Sequence, residues 1–238
     1  MKTAPGKGVR LNRFLASCGV ASRRGSEAFI TQGRVEINGR IVTDLGTRVL
    51  PSDHVKFDNK LLRTASDLTI LLNKPKGFLC TRDDPDGRPT IYQLLPGKFR
   101  QIHYVGRLDY QSEGLLILTS AGELTEKLTH PRNHIEKEYE VQLDRPFDPE
   151  LTGRLLKGVH LDEGLARAEL VAVESRRRLR VVLTQGYNRQ IRRMFAKLNY
   201  KVRKLERIRI GSLMPNDLST GEYRVLGRGE IQLASTNP

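Results

Sequence analysis

Residues 103–109, His103-Tyr104-Val105-Gly106-Arg107-Leu108-Asp109, leave a short strand and enter a turn, and Leu115-Leu116-Ile117-Leu118 then resume as a second, apolar strand. A strand, a tight connection and another strand of this length belong in a sheet. Gly106 lets the connection take dihedrals that a side chain would disfavour. Asp109 falls just past the strand end, on a loop, where reactive groups are often carried by a rigid scaffold. Taken alone, the same residues also suit a turn-capping aspartate beside a surface arginine, Arg107.

On either side, residues 69–72, 102–105, 139–143, 167–173 and 179–183 read as strands, and residues 123–128, 149–156 and 189–198 as helices. Strand-rich segments with interspersed helices predict an α+β fold, a mixed and mainly antiparallel sheet with flanking helices. Asn73-Lys74-Pro75-Lys76-Gly77 reads as a turn, and residues 81–88 as an exposed polar loop. Further toward the amino terminus, residues 11–16 and 22–31 form two short helices, the second with Ser22 at its N-cap. A strand and turn follow at 33–39, where Asn38-Gly39 marks a tight hairpin, then short strands at 41–49 and 54–57. Residues 58–67 carry no strong period. The expected organisation is a small α/β domain over residues 1–60, a linker over 61–68 and a larger domain over 69–238.

The 238 residues contain 41 Lys and Arg against 27 Asp and Glu, a formal charge of +14. Such an excess attracts polyanions, nucleic acid before an anionic membrane. Residues 1–50 hold nine Lys or Arg and three acids. Arg10, Arg13, Arg23, Arg24 and Arg34 are the candidate phosphate contacts there, since a guanidinium grips phosphate through two parallel hydrogen bonds. A solvated basic face explains the composition equally well. Cys18 and Cys80 show no metal spacing and no disulfide framework. Residues 1–8 form a loose basic tail without an apolar core, and the longest apolar runs are too short to span a bilayer. A cytoplasmic protein without a membrane partner is expected.

Gln185-Gly186-Tyr187-Asn188-Arg189-Gln190-Ile191-Arg192-Arg193-Met194-Phe195 is the most distinctive stretch. Residues 176–209 hold thirteen Lys or Arg and a single acid, Glu206. Ile191, Met194, Phe195 and Leu198 fall at helical spacing and predict a buried stripe, with a basic face opposite suited to RNA. Tyr139, in His134-Ile135-Glu136-Lys137-Glu138-Tyr139, is by default a half-buried strand aromatic.

Two sets of residues resemble known families. Residues 9–16, then Gly19-Val20-Ala21-Ser22-Arg23-Arg24 and residues 33–39, resemble the small RNA-binding domain found in a small-subunit ribosomal protein and in many RNA-modifying enzymes. Gly106-Arg107-Leu108-Asp109 followed by Ser112, Gly114, Leu115 and Leu116 resembles the signature of the small-subunit-type bacterial ribosomal RNA pseudouridine synthases. The Lys137–Tyr139 pattern and the 188–194 string resemble two further motifs of that family, and the likeness extends over residues 10–230. It implies that Asp109 is the catalytic aspartate, that Arg192 forms a salt bridge with it as one buried pair, and that Tyr139 stacks on the target base and later removes a proton. It also implies that Arg107, Lys137, Leu183, Asn188, Gln190 and Arg193 bind substrate, Leu183 as an apolar wall.

The implied reaction detaches uracil from ribose, rotates it and rejoins it through a ring carbon. That chemistry needs an ionised, firmly held carboxylate, an aromatic face to retain the base, and a proton acceptor. It needs no cofactor and no metal, and none is expected. The base must also leave its stack to reach a pocket. The expected partner is ribosomal RNA or a pre-ribosomal particle, with tRNA as an alternative, bound by a monomer. Residues 80–90 resemble members that act on 23S rRNA, while 16S rRNA stays open. The competing readings are a non-catalytic RNA-binding assembly factor on the same scaffold and a carboxylate-based nuclease. The nuclease would ordinarily need a metal-binding group of acids, which the sequence lacks.

Overall fold

The computed structural model describes residues 8–62 and 67–238. The chain divides into two compact units, Met1–Asp67 and Leu68–Pro238. The basic tail up to residue 7, with Lys2 and Lys7, and residues 63–66 of the expected linker lie outside the described residues.

In the first unit, β1 (Val9–Arg10) leads into α1 (Leu11–Ser17) and α2 (Arg23–Thr31). The Ser22 hydroxyl accepts a hydrogen bond from Gly25 N at 3.1 Å, capping α2 as its position predicts. Then come β2 (Val35–Ile37), β3 (Arg40–Ile41), β4 (Arg48–Val49), β5 (Val55–Phe57) and β6 (Lys60–Leu61). Four of these form an antiparallel sheet in the order β3-β2-β5-β6, and β1 pairs with β4. Asn38 and Gly39 both take positive φ, 51° and 80°, which a tight β2–β3 hairpin requires. The strand expected over 41–49 is broken in two, because Asp44 Oδ1 accepts from Gly46 N at 2.9 Å and turns the chain. Leu11, Leu15, Ile30, Val35, Val49 and Val55 form the core.

The second unit contains β7 (Thr69–Lys74), β8 (His103–Tyr104), β9 (Glu113–Thr119), α3 (Gly122–Thr129), β10 (Lys137–Leu143) and α4 (Thr152–Lys157). It continues with β11 (Val159–Leu161), β12 (Gly164–Ala166), β13 (Leu170–Ser175), β14 (Arg178–Leu183), α5 (Gln190–Lys197), β15 (Val202–Ile210), β16 (Tyr223–Val225) and α6 (Arg228–Ala234). Its main sheet runs β13-β14-β10-β15-β9-β7-β16, with β8 beside β9. Every ladder in it is antiparallel except β15–β9, so the sheet is mixed and mainly antiparallel.

β7 and β9 are the strands covered on both faces. Ile70, Leu72, Leu116 and Leu118 enter one core with Ile91, Phe99 and Leu108, while Leu71, Leu115 and Ile117 enter another with Leu128 and Ile210. Burial on both sides explains why these strands are continuous apolar runs instead of alternating ones. The stripe on α5 packs as its spacing predicts, Ile191, Met194, Phe195 and Leu198 joining Val141, Leu179 and Leu183 in a third core.

Several elements differ from expectation. The strand expected over 167–173 starts only at Leu170. Before it, Arg167 N donates to Gln185 Oε1 at 3.1 Å and Ala168 N to Leu155 O at 3.0 Å, which diverts the chain from the sheet. The helix expected over 149–156 is a 3-10 turn, Pro149–Leu151, followed by α4. The basic density of residues 176–209 is not all surface: Arg207 and Arg209 of β15 are buried. Arg209 Nε reaches Glu138 at 2.6 Å and its Nη2 reaches Glu136 at 3.0 Å, which makes its burial tolerable.

Candidate active site

The loop from Val105 to Ser112 carries Asp109 between β8 and β9. It opens with Val105 N donating to Ile117 O at 2.8 Å and turns at Gly106, whose φ is 68°. The Leu108 amide donates to Cys80 Sγ at 3.4 Å, and burial pushes that thiol's pKa up. Cys80 is thus a structural thiol under the loop. The strongest anchor is Lys74, at the end of β7 and wholly buried. Its ammonium donates to Pro75 O at 2.9 Å, Asp109 O at 3.2 Å and Ser112 O at 2.8 Å. Burial lowers its pKa, and the charges of Cys80, Asp109 and Glu113 oppose the shift. Three carbonyls thus take its three protons and fix both ends of the turn that holds Asp109.

The Asp109 side chain is 27% exposed, half-buried rather than enclosed. Its ion pair is with Arg189, Nη1 to Oδ2 at 3.8 Å. The expected buried salt bridge from Arg192 is not formed. Arg192 donates instead from Nη2 to Gln111 O at 3.0 Å and from Nη1 to Val202 O at 2.9 Å, so it grips the same loop by its backbone. Its pKa is lowered by burial and by neighbouring Arg189, while Asp109 acts in the opposite sense. Arg189 reaches Asp109 because it takes the left-handed conformation, φ 47°, as α5 begins.

Beside this loop lies a cavity of about 460 Å³, in the range of small-ligand sites. Tyr139 lines it, as do Val105, Ile117, Leu128 and Ile210 on its apolar side. Tyr187 and the 184–186 segment form another wall. Four lining residues are cationic, Arg107, Lys137, Arg167 and Arg207, and no carboxylate lines it. Lys137 Nζ donates to Ile135 O at 2.6 Å. Burial, and then the charge of Arg207, lower its pKa to about 8.

The structure therefore brings Arg107, Lys137 and Tyr139 to one cavity. Leu183 is not among the lining residues. It sits in the core under α5, and the residues just after it reach the cavity. Gln190 and Arg193 are engaged internally. Gln190 Oε1 accepts from Tyr187 N at 3.0 Å and its Nε2 donates to Gln185 Oε1 at 3.2 Å, bracing the 185–187 wall. Arg193 pairs with Asp162 and Glu163, each at 2.8 Å, and donates to Asn188 O. Asn188 is exposed. In the first unit, Arg10, Arg23 and Arg24 are exposed and Arg13 is half-buried. Arg34 is tied to Asp58 and stacks on Phe29 and Phe57 at 4.5 and 4.8 Å.

Lys74, Arg167, Tyr187, Arg189 and Arg207 were missed by sequence reasoning. For Lys74 the signal was a lysine two residues past the apolar run 70–72, where a buried strand can still continue. For Arg207 it was a basic position two residues from Leu205, which is core, while the register shift that brings Ile210 to the same face has no such signal.

Among the described residues no group of His, Cys, Asp and Glu is arranged to hold a metal, and no helix is long and apolar enough to cross a membrane. A family model described as RNA pseudouridylate synthase matches residues 68–197, and one described as S4 domain matches residues 9–55. An uncharacterised RNA pseudouridine synthase of Aquifex aeolicus (strain VF5) is 38% identical over 229 residues, covering 94% of this chain and 92% of the relative. Ribosomal large subunit pseudouridine synthase B of Bacillus subtilis (strain 168) is 34% identical over 229 residues, covering 94% of each. A crystal structure of a pseudouridylate synthase matches with a TM-score of 0.69 at 31% identity, over 95% of this chain and 99% of that one.

Proposed function

Because the chain belongs to the RNA pseudouridylate synthase family and carries an S4 domain, we propose that it converts one uridine of 23S ribosomal RNA to pseudouridine, with Asp109 as the catalytic carboxylate. The observation that carries this reading is the cavity lined by Tyr139 and by residues 105–107 of the clamped loop, with Asp109 two residues further along that loop and outside the lining. The large-subunit target is supported by the name of the Bacillus subtilis relative and by the likeness of residues 80–90 to enzymes of that RNA.

The target nucleotide leaves its helix and enters the cavity, where Tyr139 offers a face to the base. Asp109 acts as the bond between ribose C1′ and base N1 breaks, as nucleophile or as the charge that balances the sugar. Its counter-ion is Arg189, at 3.8 Å. The carboxylate must also be held, and Lys74 and Arg192 fix its loop through backbone oxygens. The base turns within the walls and rejoins C1′ through C5. Last, the Tyr139 oxygen takes the C5 proton and gives up its own phenol proton, through solvent, to N1, which leaves tyrosine and product neutral. Arg107 and Arg167, exposed at the rim, hold phosphates beside the opened nucleotide. The first unit adds phosphate contacts through Arg10, Arg13, Arg23 and Arg24. The enzyme works as a cytoplasmic monomer on rRNA or a pre-ribosomal particle.

Mapping pseudouridine in total rRNA and tRNA, from cells with and without the gene, tests the target. The expected result is the loss of one site in 23S rRNA. A site lost from 16S rRNA or tRNA instead would overturn the large-subunit assignment.

A further inference from the structure

Arg207 is the buried arginine of this cavity, and its guanidinium is only partly paired. It lies on β15 and is 5% exposed. Its Nε donates to Leu115 O at 2.7 Å, while its buried Nη2 has no hydrogen-bond partner. None of the ion pairs among the described residues includes it. A guanidinium nitrogen left unpaired in the interior is costly unless another group completes it. Arg207 is directly opposite Tyr139 across the β10–β15 ladder, so the two side chains share a face of the sheet, and both line the cavity. Lys137 lines it two residues away on β10, close enough for its charge to feel that of Arg207. Lys137 and Arg207 are therefore two of the four cations on this cavity, and no acid lies on its walls.

Such an arrangement is completed by an anion, or by carbonyl oxygens on which negative charge grows. Depth separates the two choices. Arg107 and Arg167 are exposed, whereas Arg207 is buried beside the base-facing tyrosine. A phosphodiester remains on the solvated strand and meets the rim. Only the base reaches the floor.

We propose that Arg207 is a further catalytic residue, donating from its free guanidinium nitrogen to a uracil carbonyl oxygen and stabilising the negative charge that the base takes up when its bond to ribose breaks. This rests on the isomerase reading above. The electron pair of the C1′–N1 bond departs with the base and spreads from N1 over its two exocyclic carbonyl oxygens. Arg207 stays protonated throughout, so no proton moves to or from it. A fixed donor aimed at developing charge in a dry site acts on the transition state more than on the ground state.

The test uses the full chain, an rRNA fragment containing the mapped uridine, and single-turnover kinetics. Arg207→Gln removes the charge and keeps most of the length. The rate is expected to fall by about 100- to 1,000-fold, the usual effect of deleting one such donor, while the Kd for the fragment changes less than about threefold. Arg207→Lys lacks the Nε bond to Leu115 but retains the charge, and it should recover at least about tenfold over glutamine. If glutamine unfolds the sheet, lysine alone decides: a rate within about tenfold of wild type supports the proposal, and a larger loss overturns it. A glutamine variant within about threefold of wild type overturns the assignment of Arg207 while leaving the isomerase reading intact. Equal losses in the two variants, accompanied by a lower Tm, would make Arg207 a tie between strands. A wild-type chain that forms no pseudouridine overturns both.

Discussion

Lys74 has no carboxylate partner: three backbone oxygens take its three protons. In Lys74→Met the side chain still fits, and the desolvated charge is gone, which offsets part of the three lost bonds. The Asp109 turn loses its clamp. A misplacement of about 1 Å can cost about a hundredfold in rate, so turnover should fall by about that factor while affinity for the rRNA fragment stays unchanged. Parallel loss of both would show that Lys74 supports the fold in general. Lys137 makes a second prediction at this scale. Its pKa is lowered from 10.5 to about 8 by burial and by Arg207. Below pH 8 it is charged in both the folded and unfolded states, and folding carries the full cost of burying it. Between pH 8 and 10.5 the unfolded chain binds more protons than the folded one, so this group's contribution to stability rises with pH. Lys137→Met should therefore stabilise the protein at pH 7, by about 3 kcal/mol at most, and the advantage should shrink by pH 10. Urea unfolding at the two pH values reads the difference, and an advantage that grows with pH would refute the assigned shift.

At the level of elements, the join between β9 and β15 positions Arg207, which lines the cavity. It is the parallel ladder of the main sheet, and it pairs Glu113 with Glu206 and Gly114 with Arg207. Gly114 has φ 100°, and a Cβ there would collide with the backbone of Arg207. Gly114→Ala should cost at least about 2 kcal/mol from dihedral strain alone and displace Arg207 as the strands separate. Thermal unfolding checks this, and an unchanged Tm would contradict the close approach. The sequence showed the glycine and the two strands of the Asp109 unit, but not their neighbour. Residues 69–72 and 115–119 were legible because burial on both faces leaves an apolar run, whereas Asn73 and Lys74, which read as a turn, continue β7 because backbone oxygens take the Lys74 ammonium. β15 was not, because its arginines look solvated until Glu136 and Glu138 are folded against Arg209. The partner of Asp109 was hidden for the same reason: Arg189 and Arg192 are both about eighty residues away, and local sequence does not reveal which of them points inward.

For the molecule as a whole, the charge of +14 makes RNA affinity electrostatic. Affinity should fall at least about tenfold between 50 and 200 mM salt, since each neutralised phosphate contributes roughly 0.7 to 0.9 to the log–log slope. Arg23→Ala and Arg24→Ala, exposed at the start of α2, should each flatten that slope by about one. A slope unchanged in both would remove α2 from the RNA interface. Affinity is separate from chemistry, and the chemistry rests on Asp109. Asp109→Asn preserves size and loop geometry while removing the charge. The most direct measurement is pseudouridine formation in purified rRNA under single-turnover conditions, wild type against Asp109→Asn, with fragment binding measured in parallel. Expected is product from the wild type, none detectable from the variant, and closely similar affinities. A variant that forms product at the wild-type rate would contradict the catalytic role of Asp109 and the site built around it.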